Sequence, residues 1–319
     1  MRVAYFGSGE FGLPTLRMLH AEHELVGIVT QPDKPTGRGK KLAATPIGAH
    51  AQEHGIAAPV LKPERVNEPS VRDAIRGWDC EAWVVIAFGQ KLGQKLLADR
   101  FAMNLHASLL PRWRGAAPIH AAVIAGDTTT GVSVITLADE MDAGLILGQR
   151  AMAIEPDRTT GELHDVLARD GVEAVRRVLR RHANGTLEPR EQDPALVTFA
   201  GKLSKADGWV DFAQPAATCR ARVHGLTPWP GVSIRVGEHA AKLLRVREQE
   251  HGGAFDSPPG TLLADAGVVA CGGGTTLRLL EVQPAGGRPM AWEAFANGRG
   301  IRAGMTVESE RKPCEPSGT

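Results

Sequence analysis

Seven consecutive residues, Ala82 to Phe88 (AWVVIAF), carry no charged or hydrogen-bonding aliphatic side chain, and this run most narrows what the chain can become. It is too short to span a bilayer and too continuous for a strand with one wet face, so it reads as a parallel strand buried on both sides. Its surroundings agree. Met1 to Phe6 and Leu25 to Thr30 are further apolar runs, Met103 to His106 is a short fourth, and helical spacing fills Phe11 to His20, Pro46 to His54 and Glu68 to Gly77. Strand and helix alternating in this way predict an α/β fold with a Rossmann-like, doubly wound, mostly parallel sheet.

Val132 to Ala138 and Gln149 to Ile154 read as two more strands, after which Thr159 and Glu162 have the spacing of a capping box. A long helix is expected from there to about His182, with Asn184-Gly185 as its stop. This divides the 319 residues into a first domain over 1–189, a linker over 190–205, a β-rich domain over 206–307 and a tail over 308–319. In the third part the strand-like pieces are Trp209 to Phe212, Val232 to Val236, Lys242 to Val246, Thr261 to Ala264, Val268 to Cys271 and Thr276 to Val282. Only Ala216 to His224 looks helical there. Short strands between glycines and prolines predict a small barrel or sandwich, and an OB-like barrel is the form expected.

Lys plus Arg total 37 against 36 Asp plus Glu, and a net charge of +1 excludes a wholly basic nucleic-acid coat while leaving room for a local patch. No apolar run approaches the roughly 20 residues of a membrane span, and the N-terminus is unlike a signal peptide, so a cytoplasmic protein is expected. Cys80, Cys219, Cys271 and Cys314 form no Cys-x-x-Cys pair. They are read as free thiols, with no metal site.

Gly7 to Gly12 (GSGEFG) matches the G-x-G-x-x-G fingerprint between a strand and a helix, yet the second strand ends in Thr30-Gln31 without the acid that would hold a ribose. A tight turn is therefore preferred to a nicotinamide site. Gln31 to Pro46 places Lys34, Arg38, Lys40 and Lys41 against one Asp among three prolines and two glycines, and no regular element is expected in it. Such an arm suits phosphate contact, or is simply a solvated basic loop.

Period-two alternation puts Asn104 and His106 on one face of the fourth strand, near its carboxyl end, where ligands of open α/β sheets bind. Asn can donate to a developing oxyanion and His can move a proton near neutral pH. Asp139, Glu140 and Asp142 follow between two predicted strands, and one of them could face the imidazole and orient it.

The stretch NLHASLLPRWRGAAPI, with the later MDAGLIL, resembles the folate-dependent formyltransferases. That resemblance implies catalytic roles for Asn104, His106 and Asp142, around a formyl group. It implies that Ser108, Leu109, Leu110 and Pro111 border the folate, and that main-chain groups around Ile86, Phe88 and Gly89 hold the pterin. QPDKPTGRGKKL, KLSKADGWVDF and TPWPG are similar to segments of the branch whose acceptor is methionyl initiator tRNA, which implies tRNA contacts from Arg38, Lys40 and Lys41. It also implies 10-formyltetrahydrofolate as formyl donor, a role in translation initiation, no metal, and a monomer. The opening GSGEFG departs from the Gly-Thr-Pro turn of the family. Another acceptor, such as an amino sugar nucleotide, glycinamide ribonucleotide or water, is the competing enzymatic reading. An inert RNA-binding protein is the non-enzymatic one.

Overall fold

A computed structural model describes residues 1–36, 41–250 and 255–310. In chain order it begins β1 (Arg2–Gly7), α1 (Leu13–Glu22), β2 (Glu24–Val29), β3 (Lys34–Thr36), β4 (Lys41–Ala43), α2 (Pro46–Glu53) and β5 (Val60–Leu61). Next come α3 (Pro69–Arg76), β6 (Ala82–Ile86), α4 (Gln94–Leu97), β7 (Ala102–His106), β8 (Arg114–Gly115), α5 (Pro118–Ile124), β9 (Thr129–Thr136), β10 (Ile146–Ala153), α6 (Thr160–Ala183) and β11 (Phe199–Ala200). The chain divides into two compact units. One comprises Met1–Arg114, Gly131–Met152 and His164–Phe199; the other comprises Gly115–Thr130, Ala153–Leu163 and the described residues from Ala200 onward.

The first unit is built on a sheet of order β10-β9-β7-β6-β1-β2-β5. Strands β5, β2, β1, β6 and β7 run parallel, while β9 runs antiparallel to β7. Every residue of β6 is buried, as its unbroken apolar sequence requires, and the Trp83 ring lies 5.0 Å from that of Phe6 on β1. The order reverses between β1 and β6, which opens the crevice where doubly wound folds bind ligands. The glycine turn after β1 has a packing cause: a Cβ on Gly12 or Gly7 would overlap the hydroxyl of the fully buried Tyr5. Burial also pushes the Tyr5 phenol well above its usual range, so it stays neutral.

The second unit adds α7 (Ala216–Gly225), β12 (Val232–Val236), β13 (His239–Gln249), β14 (Leu262–Ala264), β15 (Val268–Ala270), β16 (Thr276–Pro284), β17 (Met290–Ala291), α8 (Trp292–Asn297) and β18 (Val307–Ser309). Its sheet has the order β14-β15-β16-β13-β12-β18, with antiparallel pairing throughout. The sheet curls until its ends meet: Leu262 N donates to Met305 O, Gly304 N to Leu262 O and Val307 N to Gly260 O, each at 2.8 Å. Ile234, Leu243, Leu279, Trp292 and Phe295 fill the interior.

Three expectations change. Gln31 to Pro46 does contain regular structure, because Lys34 to Thr36 pairs antiparallel with Lys41 to Ala43. Three-residue strands with a proline at an edge leave almost no periodic signal. Trp209 to Phe212 is not a strand: the Arg222 guanidinium lies 3.3 Å from the Trp209 ring centre and donates to its carbonyl, and a turn follows at Asp211. The helices α4, α5 and α8 went unseen in the sequence, being four to seven residues long. The capping box is present, with Thr159 N donating to Glu162 Oε2 at 2.9 Å and Glu162 N to Thr159 Oγ1 at 3.4 Å. No helix among the described residues is long and apolar enough to cross a membrane.

Candidate active site

Strand β7 alternates as the sequence requires, so Asn104 and His106 share a face while Met103 and Leu105 enter the core. Asn104 is half-buried, and His106 is buried with only 6% of its surface exposed. The imidazole has two partners. Nε2 lies 2.9 Å from the carbonyl oxygen of Trp113, which can only accept, so Nε2 carries a hydrogen. Nδ1 faces Asp142, with Oδ2 at 3.5 Å. A histidine held in this way offers its second nitrogen to the carboxylate and, when protonated there, presents a positive charge that Asp142 balances.

Asp142 sits in a part of the backbone that side chains avoid, at φ 55°. Left-handed conformations of non-glycine residues cost about 1–3 kcal/mol and persist where surrounding contacts over-determine them. Two residues on, Gly144 passes so close to Thr136 that a Cβ would overlap the Thr136 carbonyl. The loop between β9 and β10 is thus pressed against the strand it leaves.

The Ser108 to Pro111 turn is held from beneath by polar side chains of β9 and β10. Ser133, opposite His106 in the register, accepts from Leu110 N at 3.0 Å and from Gln149 Nε2 at 2.9 Å, and donates to Ser108 O at 2.7 Å. Gln149 Nε2 also reaches Leu110 O at 2.8 Å. The Ser108 hydroxyl is spent inside the turn, donating to Arg112 O at 2.6 Å, and its residue is fully buried. Leu109 and Pro111 keep partial exposure; Leu110 does not.

Of the segment expected to hold the pterin, Ile86 ends β6 in the core, and the Phe88 carbonyl already accepts from Ser8 Oγ and Gln31 Nε2, both at 3.1 Å. Ala87 and Gly89 are the exposed members, both at positive φ. Among the basic residues, Lys41 is exposed on β4, whereas Arg38 and Lys40 lie outside the described residues. Among the described residues no group of three or more His, Cys, Asp or Glu is placed to hold a metal ion.

Sequence reasoning missed Ser133, Gln149, the Trp113 carbonyl and Gln192, whose amide reaches the Asp142 loop. Ser133 leaves one trace, a hydroxyl between the apolar Val132 and Val134; Gln192 leaves none.

An imidazole fixed between a carbonyl and a carboxylate, with an amide side chain on the same strand face at the mouth of a doubly wound sheet, is equipment for group transfer at a carbonyl. Residues 1–179 match the family described as Formyl transferase, and residues 202–300 match its C-terminal domain. The chain belongs to the formyl transferase family. It is 39% identical over 303 residues to the methionyl-tRNA formyltransferase of Herpetosiphon aurantiacus, covering 93% of this chain and 98% of the relative. The protein of the same name from Methylococcus capsulatus is 40% identical over 306 residues, covering 94% and 98%. Among solved structures, an N-formyltransferase from Helicobacter canadensis in complex with folinic acid and dTDP-3-aminofucose has a TM-score of 0.66 at 12% identity, covering 88% of this chain and 98% of that one. HypX from Aquifex aeolicus in complex with tetrahydrofolic acid has a TM-score of 0.63 at 16% identity, covering all of this chain and 50% of the other. At such identities these two speak for the fold alone.

Proposed function

We propose that the protein transfers the formyl group of 10-formyltetrahydrofolate to the α-amino group of methionyl initiator tRNA, acting as a cytoplasmic monomer that supports translation initiation. The observation that carries this reading is the contact between His106 and Asp142 on the Asn104 face, in a chain whose relatives over nearly its whole length bear the methionyl-tRNA formyltransferase name.

The amine attacks the formyl carbon, a tetrahedral adduct bearing negative oxygen forms, and the folate nitrogen leaves with the pair of electrons and a proton. Asn104 donates to the adduct oxygen. His106 adds positive charge or shuttles the proton, and Asp142 fixes the imidazole and receives the proton of the attacking amine, directly or through water. A free α-amino group has a pKa of roughly 7.7–8.0, so near neutrality a proton acceptor is needed. The exposed backbone at Ala87 and Gly89 suits the donor and acceptor edges of a pterin, with Leu109 and Pro111 as apolar border. Arg38, Lys40 and Lys41 track phosphates of the single-stranded aminoacyl end, while residues 206–307 hold the stem.

The test is formyl transfer from 10-formyltetrahydrofolate to methionyl initiator tRNA, with amino sugars as control acceptors. Asp142→Ala is expected to lower kcat roughly 100-fold or more. Arg38→Ala is expected to raise KM for tRNA while leaving KM for the folate unchanged, and added salt to weaken tRNA use steeply. Faster transfer to an amino sugar than to tRNA would overturn the acceptor, and wild-type turnover of Asp142→Ala would overturn the site.

A further inference from the structure

The segment from Arg190 to Lys205, expected as a connection between domains, grips the backbone of both residues that touch His106. Arg190 and Ile146 exchange backbone hydrogen bonds of 2.9 and 2.7 Å, fixing the chain where the loop from β9 rejoins the sheet. Gln192 Nε2 donates to Asp142 O at 2.7 Å and to Gly144 O at 2.8 Å. Its Oε1 accepts from Arg114 Nε at 3.0 Å and Nη2 at 2.8 Å. Further along, Thr198 Oγ1 accepts from Trp113 N, and Thr198 O from Arg114 N, both at 2.9 Å.

The topology explains why Asp142 needs such a hold. Because β9 runs against β7, its last residue Thr136 stands opposite Met103, three positions before His106 and about 10 Å away along the strand. The loop must double back to bring a carboxylate to the imidazole. Asp139 is tied by Lys91 Nζ at its carbonyl and Gln94 Nε2 at its carboxylate, but Asp139, Glu140 and Met141 are all exposed. At Asp142 the backbone has turned left-handed, and the Gln192 amide bridges the carbonyls on either side of Ala143. The bridge has a single orientation: a guanidinium only donates and a carbonyl only accepts, so Oε1 faces Arg114 and Nε2 faces the loop.

We propose that Gln192, oriented by Arg114, is a positioning residue for formyl transfer that acts through Asp142. The proposal rests on the reading of Asp142 as the carboxylate of the reaction. Misplacing a reacting group by about 1 Å costs on the order of 100-fold in rate, and releasing the bridge frees the loop to move by that much.

Gln192→Glu is the sharpest variant. It keeps the acceptor for Arg114, removes the donor, and sets a carboxylate against two carbonyl oxygens. Steady-state kcat and KM are measured with 10-formyltetrahydrofolate and methionyl initiator tRNA for Gln192→Glu and Gln192→Ala, each alone and combined with Asp142→Ala. Both single variants are expected to lose kcat about 10- to 100-fold with both KM values within about 3-fold, and to add less than about 2-fold in the Asp142→Ala background. An unchanged kcat in a folded Gln192→Glu, or an equal loss in both backgrounds, overturns the proposal while leaving the site reading intact. Wild-type turnover in Asp142→Ala defeats the site reading itself, and this proposal with it. If Gln192→Ala fails to fold, Gln192→Glu carries the test alone.

Discussion

His106 in the first unit and His224 in the second are both buried, in very different company. His106, on a strand end in the first unit, has an acceptor at each ring nitrogen, the Trp113 carbonyl and the Asp142 carboxylate. His224, inside α7 of the second unit, is fully buried and uses Nε2 to accept from Val246 N at 3.2 Å, so that nitrogen has no hydrogen to give. Burial, reinforced by the charges of Arg220 and Arg245, pushes the His224 imidazole down to about 4. Burial alone therefore says nothing about whether a histidine can work as a base or carry charge; the neighbours at its two nitrogens decide. His106 stands between two acceptors, whereas His224 has a backbone donor at one nitrogen.

That contrast breaks if the two residues respond alike. His106→Ala is expected to lower formyl transfer by two to four orders of magnitude at nearly unchanged stability, whereas His224→Ala is expected to change kcat by less than about 3-fold. Comparable kinetic losses at both positions would erase the distinction. Acid separates the two next. Above pH 6.5 His224 is neutral both folded and unfolded, and its contribution is complete. Between 6.5 and about 4 only the unfolded chain takes up the proton, so stability falls with falling pH, by about 3 kcal/mol in all. Chemical denaturation from pH 7 to pH 4.5 should show this slope in the wild type, and His224→Gln should flatten it. The smallest effect is a control that touches neither histidine: Thr159→Ala removes the hydroxyl that accepts from Glu162 N at the start of α6 and should cost about 1 kcal/mol in denaturation without altering kcat.

Much of this was legible in the sequence because it is written in periods. The unbroken run of β6, the alternation of β7 and the Thr159–Glu162 spacing each have one local explanation, and the structure has strand, strand and capped helix there. Asn104 and His106 were legible as residue types at a strand end, whereas among Asp139, Glu140 and Asp142 only the resemblance to formyltransferases singled out Asp142, and only a fold can bring position 142 within 3.5 Å of position 106. The supporting residues were illegible for the same reason. Gln192 bonds to residues 50 and 48 positions earlier, and nothing in its neighbours' sequence records that. Trp113 acts through its carbonyl, which every residue has, so its identity carries no trace of the role. The glycine turn imitates a dinucleotide loop in its spacing, and the tight turn preferred for it has a packing cause that spacing cannot record, the Tyr5 hydroxyl beneath it.

The joint at Gly260–Leu262 and Gly304–Val307 has a bearing on how the second unit meets a partner. Peptide ligands often bind by adding a strand to an open sheet, borrowing unpaired amides and carbonyls as a template. Where the two margins of this sheet already satisfy each other, that mode of docking is closed. Along that joint a partner is met by side chains and connecting turns rather than by a strand added to the sheet.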